Sequence, residues 1–187
     1  MRKVHFCDKE LGRVLSHEGK NIKALEKELG IKISVKKGKC EADFLIQGKN
    51  SVQEYLVSEI LEALAVGFDF DIAMLLKEED YVFKKVELKK YVHGGRLEVV
   101  KGRIVGAQGK SKRVIQSLSE CFLCLCDNHV SIIGQAENVE LASRAIESLI
   151  RGSKHANVFK ALEEGRKKLR EEDILLGELE EEMSKKK

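Results

Sequence analysis

Two glycines separated by two residues, Gly106 and Gly109, form the pattern with the clearest chemical meaning in this sequence. Apolar residues flank the pair, and cations follow it directly. Glycine costs about 1 kcal/mol relative to alanine in a helix interior. The pattern therefore predicts a helix, a tight Gly-x-x-Gly turn and a second helix. Such a turn leaves bare backbone that an extended phosphate chain can approach closely.

Cations are concentrated around this turn. The 187-residue chain carries a net charge of only +3, so nucleic-acid binding cannot be argued from the total charge. Between Arg96 and Arg113, however, six cations stand against one acid, Glu98, which gives a local charge of +5. The alternative interpretation is a solvated basic helix beside a turn that is purely structural.

Two other motifs suggest chemistry that the sequence does not support. Gly109-Lys110-Ser111 resembles the end of a phosphate-binding P-loop, but that motif needs a glycine where this chain has Ile104. We therefore expect no nucleotide hydrolysis, no cofactor and no enzymatic activity.

The cysteine-rich segment could suggest zinc. Cys121, Cys124 and Cys126 have only His129 nearby, whereas closed zinc sites take four ligands from two turns. A strand filled with small hydrophobic residues is the better interpretation, so we expect no metal.

Composition sets further limits. No apolar run is long enough to span a membrane, and the basic start lacks the apolar stretch of a signal peptide. Five cysteines without a disulfide-scaffold layout fit a reducing compartment, so we expect a cytoplasmic protein. With ten aromatic residues and no Trp, aliphatic contacts would have to replace base stacking.

The chain contains an internal repeat. Gly12-Arg13 matches Gly102-Arg103, and Gly19-Lys20 matches Gly109-Lys110, at a constant shift of 90 residues. Each copy predicts the order β-α-α-β-β-α, an α+β unit of three antiparallel strands with helices on one face. The predicted divisions are a first domain (1–67), a connecting helix and strand (68–96), a second domain (97–155) and a charged C-terminal helical tail (156–187).

Several element boundaries follow from periodicity. We expect a helix over Ser111–Ser119, a strand through Leu123 and Leu125, a strand Val130–Ile133 that stops at Gly134, and a helix over Glu137–Arg151. The connecting segment predicts a helix at Ile72–Leu76, a strand at Tyr81–Leu88 and a turn at His93–Gly95. The tail helix is expected to break near Gly165 and again near Gly177.

A Gly-x-x-Gly turn between two helices of a β-α-α-β-β-α unit resembles a type I KH domain. Two such units, with Gly67-Phe68 and Glu78–Tyr81 between them and Gly152–Leu162 after the last helix, resemble the Partner of Nob (Pno/Dim) family in its short archaeal form. The resemblance extends from about Leu11 to Leu169.

This resemblance implies a non-catalytic ribosome-assembly factor. It would bind single-stranded RNA at the 3′ end of small-subunit rRNA, with a Nob-type endonuclease and a translation initiation factor as protein partners. The first unit is expected to be degenerate, because Ser16 replaces the first glycine of its loop and Glu18 would repel a phosphate. The second loop lacks a base at Ala107-Gln108, so its positive charge must come from the residues after Gly109.

The predicted interface belongs to the second unit. Backbone N–H groups from Gly106 to Gly109 would face the sugar-phosphate chain, while about four bases lie against an aliphatic wall. The predicted RNA-binding residues are Arg103, Ile104, Val105, Gly106, Ala107, Gln108, Gly109, Lys110, Ser111, Lys112, Arg113, Val114, Leu123 and Leu125. The alternative function is a protein-interaction scaffold whose Gly loops are relics.

Overall fold

The structure is a computed structural model that describes residues 2–15, 19–38, 41–92 and 95–185. The described residues up to Met74 contain β1 (Arg2–Cys7), α1 (Asp8–Val14), α2 (Lys20–Leu29), β2 (Lys32–Lys37), β3 (Glu41–Gln47), α3 (Ser51–Val66) and α4 (Phe70–Met74). The rest contains β4 (Tyr81–Glu87), α5 (Arg96–Val105), α6 (Lys110–Ser119), β5 (Phe122–Cys126), β6 (His129–Gln135), α7 (Ala136–Ile150) and α8 (His155–Lys185). The predicted α+β class, with two three-stranded antiparallel sheets and a C-terminal helix, is confirmed.

The first sheet has the strand order β1-β3-β2, so β3 lies in the middle. Successive side chains of a strand point to opposite faces. Ala42, Phe44 and Ile46 therefore share one face of β3, and all three are buried. The ring of Phe6, from β1, packs edge-on against Phe44 with the two centroids 5.3 Å apart. Hydrophobic alternation in the central strand thus builds the core of the first copy.

The second sheet has the order β4-β6-β5, and its central strand, β6, likewise supplies buried side chains to the core. Ile132 in β6 is fully buried, as are Ile104 in α5, Ile115 in α6, and Ile146 and Leu149 in α7. Ile146 and Leu149 are three residues apart, which places them on one face of α7. Burial of Ile104 and Ile115 anchors α5 and α6, the two helices that carry the Gly-x-x-Gly segment.

The chain forms two compact units, one of Met1–Phe83 with Cys124–Asp127 and the other of Lys84–Leu123 with Asn128–Lys187. The four-part division drawn from the sequence stays a prediction. None of the helices within the described ranges is long and apolar enough to cross a lipid bilayer.

Most predicted boundaries agree with the observed elements to within two residues. The helix expected at Ser111–Ser119 begins at Lys110, and the helix expected at Glu137–Arg151 begins at Ala136 and ends at Ile150. The short helix expected at Ile72–Leu76 is α4 followed by a 3₁₀ turn over Leu75–Lys77. The turn predicted at His93–Gly95 lies partly outside the described residues, which omit His93 and Gly94.

The prediction that the tail helix breaks at Gly165 and Gly177 was wrong, because α8 continues through both residues. Val158 and Leu162 anchor its first turns in the core, where both are buried. Gly165 lies directly against Leu141 of α7, at a place where a Cβ would overlap the leucine side chain. Helix packing at this close approach offsets the intrinsic cost of glycine, about 1 kcal/mol.

The prediction that a strand stops at Gly134 was also wrong, because β6 continues to Gln135. Gly134 is buried, and a Cβ built on it would lie 2.6 Å from the Sγ atom of Cys121 and 3.4 Å from its Cα atom. A glycine inside a strand often marks such a close approach. Here it makes room for Cys121 and does not end the strand.

We expect Gly134→Ala to destabilise the protein by about 1–3 kcal/mol, because the new methyl group overpacks the site next to Cys121. The free energy of unfolding, measured in urea, checks this. Adding Cys121→Ala removes the obstructing sulfur atom and should recover part of the loss. A double variant that loses the full sum of the two single effects would contradict the contact.

Burial raises the pKa of the Cys121 thiol from 9.0 to about 11. The neutral thiol is favoured in the folded protein, whereas the unfolded chain ionises it near pH 9. Stability from this group is therefore present below pH 9 and lost as the pH rises towards 11. Between pH 9 and pH 11, the free energy of unfolding of the wild type, measured in urea, should fall by on the order of 2 kcal/mol more than that of Cys121→Ala. Parallel pH profiles for the two proteins would contradict this assignment.

Candidate nucleic-acid interface

The Gly-x-x-Gly segment joins α5 to α6 at a reversal that only glycine permits at its first position. Gly106 has φ 71° and ψ 175°, a backbone conformation that essentially only glycine adopts. A Cβ at this residue would lie 2.7 Å from Cβ and 2.8 Å from the backbone N of Ser111. The junction therefore needs bare backbone at residue 106, because the chain passes directly against the first turn of α6.

The last two residues of the loop, Gln108 and Gly109, are left-handed, and the middle of the loop is exposed. Gln108 has φ 50° and ψ 30°, and Gly109 has φ 77° and ψ 12°. Ala107 and Gln108 are exposed, and a Cβ on Gly109 would meet no atom of the described residues within 4 Å. The loop thus offers a narrow and open stretch of backbone to a ligand.

Hydrogen bonds within the loop alter the role predicted for its N–H groups. The Gly106 N–H donates to the Gly102 carbonyl at 2.8 Å, and the Gly109 N–H donates to the Gly106 carbonyl at 3.2 Å. The Lys110 N–H donates to the Ala107 carbonyl. These three donors are committed to the turn. The positive end of the α6 dipole and the side chains near it add to the attraction for a phosphate.

Arg113 holds the loop from the first turns of α6. Its Nη2 atom donates to the backbone carbonyl of Gln108 at 2.8 Å, and its side chain is otherwise exposed. The bond spans five residues and ties a carbonyl of the exposed part of the loop to α6. Arg113 therefore both orders the loop and keeps a positive charge beside it.

Lys110 and Lys112 carry the charge that is most available at the loop. Lys110 is exposed and Lys112 is half-buried, and within the described part of the chain neither forms an ion pair. Lys101, by contrast, is paired with Glu98 at 2.8 Å. The excess charge predicted from the sequence is thus concentrated at the start of α6.

The side chain of Arg103 is hydrogen-bonded at the end of α7. Its guanidinium donates to the backbone carbonyl of Leu149 at 3.3 Å and to that of Ser153 at 2.6 Å, at the end of α7. These bonds are structural contacts at a helix C-terminus, where a cation is favourable. The role of Arg103 in phosphate binding stays a prediction.

The predicted aliphatic wall is only partly available at the surface. Ile104 is 2% exposed and Leu123 is 5% exposed, so both side chains belong to the core. Val105 and Val114, on either side of the loop, are half-buried, as is Leu125 in β5. Ser111 is also buried, beneath Gly106. The structure thus brings together Val105, the loop and the first turn of α6 as the surface that a ligand can reach.

A recess of about 410 Å³ beside α6 adds residues that the sequence reasoning did not name. It is lined by Arg113, Gln116, Ser117, Glu120, Cys121 and Phe122. The missed members, Gln116 and Ser117, follow Arg113 by three and four residues, which places them on the same helix face. That spacing was the signal available in the sequence.

The cysteine segment lies in β5 and just before it. Cys121 is buried and donates to the Ser119 carbonyl at 3.3 Å. Among the residues that the structure describes, no cluster of three or more His, Cys, Asp or Glu side chains is arranged to hold a metal ion.

Comparison with known proteins places the chain in a family. The family model for the second KH domain of PNO1, described as a eukaryotic-type KH domain (KH-domain type I), matches residues 82–167. The pre-rRNA-processing protein pno1 of Schizosaccharomyces pombe is 36% identical over 104 residues. A KH domain-containing protein of Methanocaldococcus jannaschii is 32% identical over 165 residues, which cover 86% of this chain and 71% of that protein. The chain belongs to the Pno/Dim family of KH-domain proteins.

A solved structure extends the similarity to most of the Pno/Dim fold. A chain in the crystal structure of the a/eIF2alpha–aDim2p–rRNA complex from Pyrococcus horikoshii superposes with a TM-score of 0.79 at 25% identity. The alignment covers 89% of this chain and 95% of that one. The match to the S. pombe protein, in contrast, covers 54% of this chain and only 43% of that relative.

Proposed function

We propose that this Pno/Dim protein binds single-stranded RNA at the Gly loop of its second KH unit and acts in ribosome biogenesis. Family membership supports this, since the S. pombe relative is named as a pre-rRNA-processing protein. The P. horikoshii relative, aDim2p, was crystallised in a complex with rRNA. Both names describe those relatives, and the assignment to this chain is our inference.

The proposal has a finer form. The RNA is the 3′ end of small-subunit rRNA, and the protein acts there in the cytoplasm without catalysing a reaction. Its protein partners are a Nob-type endonuclease, which cuts that end, and a translation initiation factor. The P. horikoshii complex supports the last partner, because a/eIF2alpha is present there beside aDim2p and rRNA.

The observation that carries the proposal is the open, bare backbone at Gly109 in front of the α6 N-terminus, in a loop whose reversal Gly106 makes possible. A Cβ on Gly109 would meet no described atom within 4 Å, and Lys110 and Lys112 follow it immediately. A sugar-phosphate chain can approach such a backbone closely, because no side chain holds it off. The dipole of α6 and the two lysines then favour its negative charge.

Base contacts in this proposal come from the half-buried aliphatic side chains around the loop, Val105 and Val114. About four nucleotides fit a KH Gly loop. The first KH unit has no comparable role, because Glu18 within its loop opposes phosphate. Its loop residues Ser16–Glu18 lie outside the described part of the chain.

The second candidate function is a protein-interaction scaffold that makes little direct contact with RNA. It is favoured by the far part of α8, where Ile174, Leu175 and Leu176 are all more than half exposed. The complex of aDim2p with a/eIF2alpha is consistent with such a role in a relative. The two functions differ in whether the Gly loop is required for RNA binding.

We expect Gly109→Asp to reduce affinity for a short single-stranded RNA matching the small-subunit rRNA 3′ end by at least about tenfold. The substitution puts a side chain and a negative charge where the phosphate chain would pass. Fluorescence anisotropy with a labelled oligonucleotide measures the effect. Gly109 is the better test position, because at Gly106 a Cβ would collide with Ser111 and threaten the fold.

The matched control is Gly102→Asp, on α5, where a Cβ also meets no described atom within 4 Å. It adds the same charge to the same unit without occupying the loop. Equal binding by the wild type and Gly109→Asp would reject the Gly loop as the RNA site and favour the scaffold. An equal loss of RNA affinity in both variants would show that the added negative charge alone causes the effect, whatever its position in the unit.

RNA binding should weaken with salt. If three or four phosphates are contacted, the slope of log K against log salt should be about −2 to −3 for a single strand. Lys110→Met should make that slope shallower by about 0.7, because one phosphate contact is lost. Lys160→Met, on an exposed face of α8, serves as the control for loss of one charge. A slope near zero in the wild type would contradict the charge roles assigned to the start of α6.

A further inference from the structure

Hydrogen bonds of Arg103 and His155 tie the end of α5 to the end of α7 and to the start of α8. The Arg103 guanidinium reaches from α5 to the end of α7, where it donates to the carbonyls of Leu149 (3.3 Å) and Ser153 (2.6 Å). In return, the carbonyl of Arg103 accepts a hydrogen bond from Nε2 of His155, the first residue of α8, at 2.9 Å. Because a carbonyl oxygen only accepts, Nε2 must carry the proton. We call this pair the Arg103–His155 clamp.

The clamp acts on the last turn of α5, where the chain enters the loop. The final carbonyls of a helix have no partner within the helix. The carbonyl of Gly102 bonds the Gly106 N–H at 2.8 Å, and the next carbonyl, that of Arg103, bonds His155. Arg103 precedes Gly106 by three residues, so the clamp fixes the turn that leads directly into the loop.

His155 is held by a rigid part of the molecule. Its ring packs edge-on against Phe159, one turn further along α8, with the centroids 5.9 Å apart. Val158 and Leu162 bury the same helix segment in the core. The start of α8 is therefore a fixed point from which the end of α5 is positioned.

We propose that Arg103 and His155 are positioning residues that set the conformation of the Gly loop and do not themselves contact RNA. The consequence for RNA rests on the proposed function of the loop. The assignment separates Arg103 from Lys110 and Lys112, whose charges are free to meet phosphate. It also gives α8 a part in RNA binding, because His155 belongs to that helix.

The first test needs no RNA. Amide hydrogen exchange in the free protein should accelerate at least about fivefold at Gly106, Gly109 and Lys110 in Arg103→Met and in His155→Ala, because each variant removes part of the clamp. The amides of β6 should keep wild-type rates. Arg151→Met is the matched control, since Arg151 is an exposed arginine whose ion pair is with Glu147. Wild-type loop rates in both clamp variants would overturn the proposal.

The second test measures RNA affinity over a range of salt concentrations. Arg103→Met and His155→Ala should each weaken binding about fivefold to tenfold, with the slope of log K against log salt unchanged. Lys110→Met should reduce that slope by about 0.7. A similar reduction in Arg103→Met would show that Arg103 contacts phosphate, and this would overturn its positioning role.

Conservative and double variants exclude a general loss of stability. His155→Gln keeps an N–H donor and should recover most of the affinity, whereas the double variant Arg103→Met/His155→Ala should bind little worse than either single variant. His155→Ala removes only one neutral hydrogen bond and is the milder change. It therefore tests the clamp even if Arg103→Met does not fold. A lower melting temperature with wild-type affinity would reduce the clamp to a structural contact and overturn the proposal.

The two proposals fail in different ways. If the wild type binds no single-stranded RNA, the proposed function is wrong, and amide exchange still decides whether the clamp orders the loop. If the wild type binds RNA in a manner that depends on Gly109 and both clamp variants bind equally well, only the positioning role is wrong.

Discussion

The second unit depends on one close approach, that of the Gly106 backbone to Ser111 at the start of α6. With φ 71° and ψ 175°, Gly106 sends the chain back against the helix at a separation that leaves no room for a side chain. This contact decides where α6 begins, and it directs Ala107 and Gln108 towards solvent. It also places the positive end of α6 directly behind the exposed backbone. The loop is therefore a consequence of helix packing as much as of its own sequence.

Side chains of α5, α6 and α8 form hydrogen bonds around this approach. Arg113 ties the loop carbonyl of Gln108 to α6, and the end of α5 is joined to α7 and α8 through Arg103 and His155. The far end of α6 is bound as well, because Glu120 accepts hydrogen bonds from Arg166 and Arg170 of α8. The tail helix thus contacts both helices that flank the loop. In this Pno/Dim protein it is part of the second unit.

The two copies share a framework and differ in the chemistry of their loops. Gly19 and Gly109 precede α2 and α6 with nearly the same left-handed backbone, φ 72° and φ 77°. The repeat in the sequence therefore corresponds to a repeat in local geometry. What separates the copies is composition, since Glu18 stands in the first loop where the second has an uncharged glutamine, Gln108. The copies share the backbone conformation of the glycine before the second helix, while the charge of the loop sequences differs.

The sequence by itself determined the duplicated α+β units, the position of the Gly loop and the bounds of α6 and α7, because these follow from local periodicity and from the conformational preference of glycine. Tertiary structure decided what each side chain in that pattern does. The sequence predicted Arg103 near phosphate and could not show that its guanidinium donates to carbonyls 46 and 50 residues away in the chain. Gly134 and Gly165 looked like breaks, yet each only makes room for a neighbour distant in sequence. Contacts of this kind depend on how helices and strands pack, and no spacing within a single element encodes them.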